Sequence, residues 1–204
     1  MEIELIQMNL ETTDYMLWED FRKGDKQALS SIYFLYVNQL YRYGKKFSTD
    51  DELIKDLIQD LFFDLIRTRS TLGSTDHIYF YLIKSLRRRL AQHVSGSRKK
   101  EWSLEDSGFL EANIVYSFED ELIKKEELSQ KEKNVQIALS ELSPKQREII
   151  YYRYTCDFEY EQICELMSMK YDSARKMVFR ALKSLRASLT GTSFQLFMLH
   201  IKNT

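Results

Sequence analysis

One proline stands in 204 residues, and it sits where it would start a helix rather than break one. Proline and glycine interrupt regular structure, so a chain with a single Pro and six Gly has few places to stop a helix. With abundant Leu, Lys, Glu and Arg around them, this predicts an all-α protein. Pro144 belongs to Ser143-Pro144-Lys145-Gln146, which reads as serine at N-cap, proline at N1 and glutamine at N3, a capping-box start. A helix follows through Arg153 and breaks at Thr155-Cys156-Asp157. A short helix over about Tyr160 to Met167 then places Ile163, Leu166 and Met167 on one face. A turn from Ser168 to Tyr171 leads to Asp172, the expected N-cap of a last long helix. Ala174, Val178, Ala181, Leu182 and Leu185 recur there at helical spacing, while Arg175, Lys176, Phe179, Arg180 and Lys183 fall on the other side. Short helix, turn and long helix make a helix-turn-helix pattern. Its basic outer face with one aromatic suits phosphates, guanine edges and a thymine methyl. An ordinary three-helix packing unit with a solvated basic face fits the same residues.

Length and charge set the frame around that unit. The chain can hold one large or two small domains, and 44% hydrophobic residues suffice for real cores. The formal net charge of −1 hides a segregated distribution. From Lys84 to Lys100 there are seven basic residues and no acid, and from Lys170 to Arg186 six basic residues against Asp172. Between them, Glu101 to Lys133 holds ten acids and four bases. Two basic patches on a balanced chain suggest two contacts with nucleic acid. Cys156 and Cys164 are too few for a disulfide framework or a zinc site and read as reduced, mostly buried thiols. His77, His93 and His200 are isolated, so no metal site, cofactor, catalytic constellation or small-molecule substrate is expected. The acidic start Met1-Glu2-Ile3-Glu4 is unlike a secretory signal, and no apolar run approaches membrane-spanning length. A soluble, cytoplasmic protein is the expectation.

The first domain is expected over 15–96. A helix from about Lys26 to Phe47 carries Leu29, Ile32, Tyr33, Tyr36, Leu40 and Tyr43 on its apolar side. Ser48 to Asp51 forms a loop and cap. The helix from Asp51 to Thr68 buries Ile54, Ile58, Leu61 and Leu65 and turns Asp56, Gln59, Asp60 and Asp64 outward, with Phe62 and Phe63 beside them. Six acids and one Lys between Ser48 and Asp64 make a surface that repels DNA. It is either a solvated face or a docking face for a basic protein. From Asp76 a further helix runs to about Val94. Leu82, Leu86 and Leu90 are its buried stripe; Tyr79, Phe80, Tyr81, then Lys84, Arg87, Arg88 and Arg89, pair rings with cations as single-strand binding requires. Some of those aromatics are expected to be core. A flexible linker is expected over 97–118, with an extended reach of up to roughly 70 Å. The second domain covers 119–190, opening with a lead-in helix from Glu119 to Leu142. A tail over 191–204 places Phe194, Phe197, Met198 and Ile201 at helical spacing after Gly191, a C-cap by its chemistry. Its apolar side is either folded back on the second domain or covered by a partner.

Over about Phe21 to Ser95 and Ile137 to Arg186 the chain resembles bacterial sigma-70 family factors of the small, two-domain extracytoplasmic-function (ECF) group. The matching residues are Gly24-Asp25 with Ala28, Asp56-Leu57-Ile58-Gln59-Asp60-Leu61-Phe62, and Tyr81-Leu82 with Arg87. Further along they are Leu142-Ser143-Pro144-Lys145-Gln146-Arg147 and Tyr160 to Met167, running on through Ser173, Arg175, Arg180, Ala181 and Leu185. The resemblance implies a non-enzymatic transcription initiation factor that binds core RNA polymerase through Asp56, Gln59, Asp60, Phe62 and Phe63. It implies upstream promoter reading by Ser173, Arg175, Lys176, Phe179, Arg180 and Lys183 of a region 4 helix-turn-helix, a relative of the winged-helix type. It implies opening of the downstream element by Tyr79, Tyr81, Lys84, Arg87 and Arg88, with the loop Leu72 to Thr75 capturing extruded bases. Promoter DNA and an anti-sigma factor are the other implied partners. The chain departs from the family at Arg88 and Gln92, where Asn and Asp are usual, at Ser168 in place of the turn Gly, and at Met177 in place of a common Arg. The rival reading is a dimeric helix-turn-helix regulator that works without polymerase, with 15–96 as its sensing or dimerisation domain.

Overall fold

Gly24, at φ +99°, ends the first helix, α1 (Glu2–Lys23), in a backbone conformation that favours glycine. Its N–H donates to the Phe21 carbonyl at 2.9 Å and that of Asp25 to the Asp20 carbonyl at 3.0 Å, a Schellman turn. The computed structural model describes residues 2–94 and 130–189, with 191, 194 and 197. The expected linker, the lead-in helix before residue 130, and Met198 and Ile201 lie outside the described residues. The chain divides into two compact units, Met1–Arg98 and Lys99–Thr204. Every regular element among the described residues is helical.

In the first unit Asp25 caps α2 (Lys26–Lys45), its carboxylate accepting from the N–H of Gln27 at 2.7 Å and of Ala28 at 3.4 Å. Asp50 caps α3 (Asp51–Thr68) by accepting from the Leu53 N–H at 3.1 Å. A 3-10 turn, Arg69–Thr71, and the loop 72–77 lead to α4 (Ile78–Val94). Trp18 and Phe21 of α1, Ile32, Leu40 and Tyr43 of α2, Ile54, Ile58 and Leu61 of α3, and Leu82, Ile83 and Leu86 of α4 form the core. Each such side chain contributes about 1.5–3 kcal/mol by leaving water. Gly44 lets α2 meet α3 closely, since a Cβ there would lie 2.6 Å from Ile54 Cγ2.

Two helix starts in this unit differ from the expectation. Helix α1 reaches back to Glu2, beyond the expected edge at residue 15. Helix α4 starts at Ile78 rather than Asp76, because its cap comes from elsewhere in the chain: Asp14 Oδ2 accepts from the Ile78 N–H at 2.9 Å.

The second unit begins, within the described residues, with α5 (Gln130–Glu141) and α6 (Pro144–Ile150). The capping box is formed: Gln146 N–H donates to Ser143 Oγ at 3.3 Å, and Ser143 N–H to Gln146 Oε1 at 2.9 Å. Arg147 ties α6 to the end of α5, donating to the carbonyls of Leu142 at 2.7 Å and Ser140 at 3.2 Å. A π-helical turn, Tyr151–Thr155, runs to the break at Cys156-Asp157, where Asp157 takes φ +55°. Helices α7 (Tyr160–Met167) and α8 (Tyr171–Ser188) follow, joined through Ser168 at φ +49°. Ile163 and Leu166 of α7 and Ala174, Val178, Ala181 and Leu185 of α8 are buried, while Leu182 is half-buried. Lys170, not Asp172, holds the N-cap of α8 and supplies no side-chain bond. Asp172 lies inside the first turn, where its charge still favours the positive helix end.

Gly191 is not the C-cap; Leu189 is, its N–H donating to the Leu185 carbonyl at 2.9 Å, and Gly191 has helical backbone. In the tail, Phe197 is 1% exposed and the Arg186 guanidinium lies 5.0 Å from the centre of the Phe194 ring. The burial of Phe197 accords with the folded-back option at that position.

Candidate nucleic-acid interface

Helix α8 positions its outer side chains by a narrow buried stripe. Its buried members, Ala174, Val178, Ala181 and Leu185, are small or slender and spaced by three or four, so the rest of the helix faces water. Ser173, Arg175, Lys176, Phe179, Arg180 and Lys183 are all exposed, Phe179 at 67%. No ion pair among the described residues ties down Arg175, Lys176, Arg180 or Lys183; Arg180 Nε donates only to the Lys176 carbonyl one turn back, at 3.3 Å. Four cations and an exposed ring on one face of the second helix of a helix-turn-helix have the shape and chemistry to enter a major groove. Around the turn, Arg153 holds the start of α7, donating to the Phe158 carbonyl at 2.9 Å and lying 5.4 Å from the centre of the Tyr160 ring. The Tyr160 ring meets Tyr171 edge-on at 5.5 Å, joining the starts of α7 and α8.

The residues expected to meet the downstream element are less uniform. Arg88 is exposed, but Arg87 is 4% exposed and cannot contact DNA in this conformation. It lies one turn from both Ile83 and Ala91, two further buried positions, so the buried arc of α4 is wider than the Leu82, Leu86 and Leu90 stripe. Lys84, Tyr79 and Tyr81 are half-buried. Tyr79 stacks on Tyr36 with ring centres 5.8 Å apart, and Tyr81 packs against Trp18 at 4.9 Å. Burial pushes the Tyr81 phenol above its ordinary value, with Ser85 and Arg89 acting the other way. Arg89 is held by Asp64, Nη2 to Oδ2 at 2.6 Å.

On α3, Asp56, Gln59, Asp60 and Phe63 face outward, Phe63 at 60% exposure. Phe62 does not: it is 6% exposed, its ring edge-on to Tyr33 at 5.0 Å, because it follows Ile58 by one turn and points between α2 and α3. Glu52, Asp56, Asp60 and Asp64 recur every fourth residue as one stripe. Its ends are neutralised, Glu52 by Lys55 at 2.8 Å and Asp64 by Arg67 and Arg89, both at 2.6 Å. Its middle, Asp56 and Asp60, has no ion pair among the described residues. Beside it a groove of about 560 Å³ opens between α2 and α3, floored by Tyr33, Val37, Ile58, Phe62, Phe63 and Ile66. The sequence pattern did not single out Ile66 or this groove. The signal was apolar residues, Tyr33, Phe34 and Leu35, three in a row on a helix that can bury only one side.

Helices, turn and cationic outer face define a helix-turn-helix DNA-binding protein. Residues 132–185 match the family described as Sigma-70, region 4. The chain is also similar to the ECF RNA polymerase sigma factor SigM of Bacillus subtilis (strain 168), with 27% identity over 164 residues, 78% of this chain and 94% of SigM. Together the two comparisons support an ECF sigma factor of the sigma-70 family, with a non-enzymatic role in transcription initiation. No helix among the described residues is long and apolar enough to cross a membrane.

Proposed function

We propose that this chain binds core RNA polymerase through α3, reads an upstream promoter element with α8, and captures unpaired downstream bases with α4 and the loop before it. The observation that carries the reading is the exposed, unpaired cationic face of α8 within the region 4 match. Arg175 and Arg180 are the base readers of that face; Lys183 meets phosphate. Downstream, Tyr79, Tyr81, Lys84 and Arg88 remain for the unpaired strand, while Arg87 is part of the interior beneath them. Extruding a base costs a few kcal/mol, offset by stacking at about 1–3 kcal/mol per base and by phosphate contacts.

The polymerase face is Asp56, Gln59, Asp60 and Phe63, with the apolar groove beside them. Like charges one turn apart cost a helix about 0.2–0.5 kcal/mol, so the bare pair Asp56 and Asp60 is better suited to a basic partner than to the folded chain alone. The working compartment is the cytoplasm, where the polymerase is, and an anti-sigma partner fits the family. Incubation with purified core tests the whole reading. Wild type gains promoter-specific initiation, whereas Asp56→Lys with Asp60→Lys lowers affinity for core about tenfold or more, as reversed rim charges do at steered interfaces, with the fold unchanged. Specific duplex binding by a self-associated chain, indifferent to core, would overturn it.

A further inference from the structure

The C-terminal half of α1, from Asp14 to Arg22, grips the segment that precedes α4. Trp18 Nε1 donates to the Gly73 carbonyl at 2.8 Å. Ser74 Oγ donates to Glu19 Oε1 at 2.9 Å, and Arg22 Nη1 reaches both Ser74 Oγ at 3.2 Å and Glu19 Oε1 at 2.6 Å. Asp14 uses both oxygens: Oδ2 caps Ile78, and Oδ1 accepts from the Tyr36 hydroxyl at 2.9 Å. Asp14, Trp18 and Arg22 are spaced by four, so these contacts come from one face of α1. The grip extends to the rings. Tyr36, oriented by Asp14, is the surface on which Tyr79 stacks, and Trp18 is the surface behind Tyr81. Gly73, Ser74 and Asp76 are nonetheless exposed, so the loop is moulded from behind and open in front.

We propose that α1 is the mould of the downstream reader, with Asp14 and Glu19 as positioning residues. Glu19 sets the loop through Ser74. Asp14 sets the first turn of α4 directly and the Tyr79 ring through Tyr36. The inference rests on the reading that this loop and α4 capture unpaired bases. A loop held in its binding shape before the strand arrives loses less freedom on binding, which appears as a slower off-rate for single-stranded DNA and leaves polymerase and duplex contacts alone.

The test uses holoenzyme assembled from the full chain and core polymerase. Wild-type holoenzyme selects single strands from a random pool, and the affinity of E19A, S74A and D14N holoenzymes for the selected strand is measured beside their affinity for core and for upstream duplex. The expected result is a loss of about tenfold on the single strand, as for one lost ordering contact, with core and duplex affinities unchanged and binding restored in S74T, which keeps the hydroxyl. Glu19 lies outside the capturing loop, so E19A carries the positioning test even if D14N fails to fold. Wild-type affinity in E19A and S74A would overturn the positioning role and leave base capture standing. If wild-type holoenzyme enriches no strand, base capture itself fails, and the mould with it.

Discussion

Helices α4 and α8 carry similar cations and each packs against three neighbours, yet they expose those cations differently. On α8 the buried stripe is four residues wide in sequence terms and built with two alanines, so all six of its named DNA residues face water. On α4 the buried set is Ile78, Leu82, Ile83, Leu86, Arg87, Leu90 and Ala91, two adjacent lines of side chains instead of one. A cation on a helix with a narrow stripe is a surface group almost anywhere off that stripe. A cation on a helix buried over a broad arc has to be placed position by position. The same letter, Arg, is a surface group in one helix and part of the interior in the other.

The largest expected effect tests that contrast at two adjacent positions. Arg87→Ala should cost about 2–4 kcal/mol by urea unfolding, through the void left and the polar partners stranded. Arg88→Ala should stay within about 0.5 kcal/mol and instead weaken single-strand binding by the holoenzyme. Equal unfolding midpoints for the two variants would remove the distinction between the helices. Next come the exposed cations of α8. Arg175→Ala or Arg180→Ala should relax specificity at one upstream position, worth about 1–3 kcal/mol of discrimination. Lys183→Ala should weaken every duplex alike and reduce the salt slope by about one unit. A uniform loss for all three would reduce α8 to a phosphate-binding face. The smallest effect is electrostatic and lies where α4 meets α3. The hydrogen bond from Arg89 holds the Asp64 carboxyl below its usual value near 3.8, against an opposing push from burial. Its folded value is depressed, so its contribution is present above the unfolded value and fades as pH falls through the folded one. With the Asp64 side chain 42% exposed, less than about 1 kcal/mol is at stake. Asp64→Asn should flatten the loss of stability on acidification below about pH 4 by that amount. An unchanged slope would mean that Arg89 is held by packing alone.

Local signals were legible wherever the chain satisfies itself locally. Ser143 to Gln146 spelled its capping box, and Tyr160 to Met167 gave both bounds of α7. The narrow stripe of α8 gave its outward face. What escaped was long-range. Asp76 has the chemistry of a cap, and nothing near it in sequence says that Asp14 takes that place. Phe62 and Phe63 are neighbours of equal hydrophobicity, separated only by the 100° between successive helical positions and by where α2 sits. Helix α1 gave only Trp18 and Phe21 as an inward pair among its side chains with described burial, too short a pattern to mark a helix. The ends of the α3 acid stripe were equally hidden, since the partner of Asp64 on α4 is 25 residues away.

The carboxylate that caps α4 is 64 residues from the amide it serves. In most helices the first turn frays alone, a local opening that leaves the rest of the domain intact. Here the cap of the first turn of α4 is carried by α1, and α1 cannot leave without uncovering Trp18 and Phe21, both buried in the core. Fraying of α4 is therefore coupled to α1, and the start of α4 is steadied from the core, by about the 0.5–2 kcal/mol of a cap, rather than by its own terminus alone.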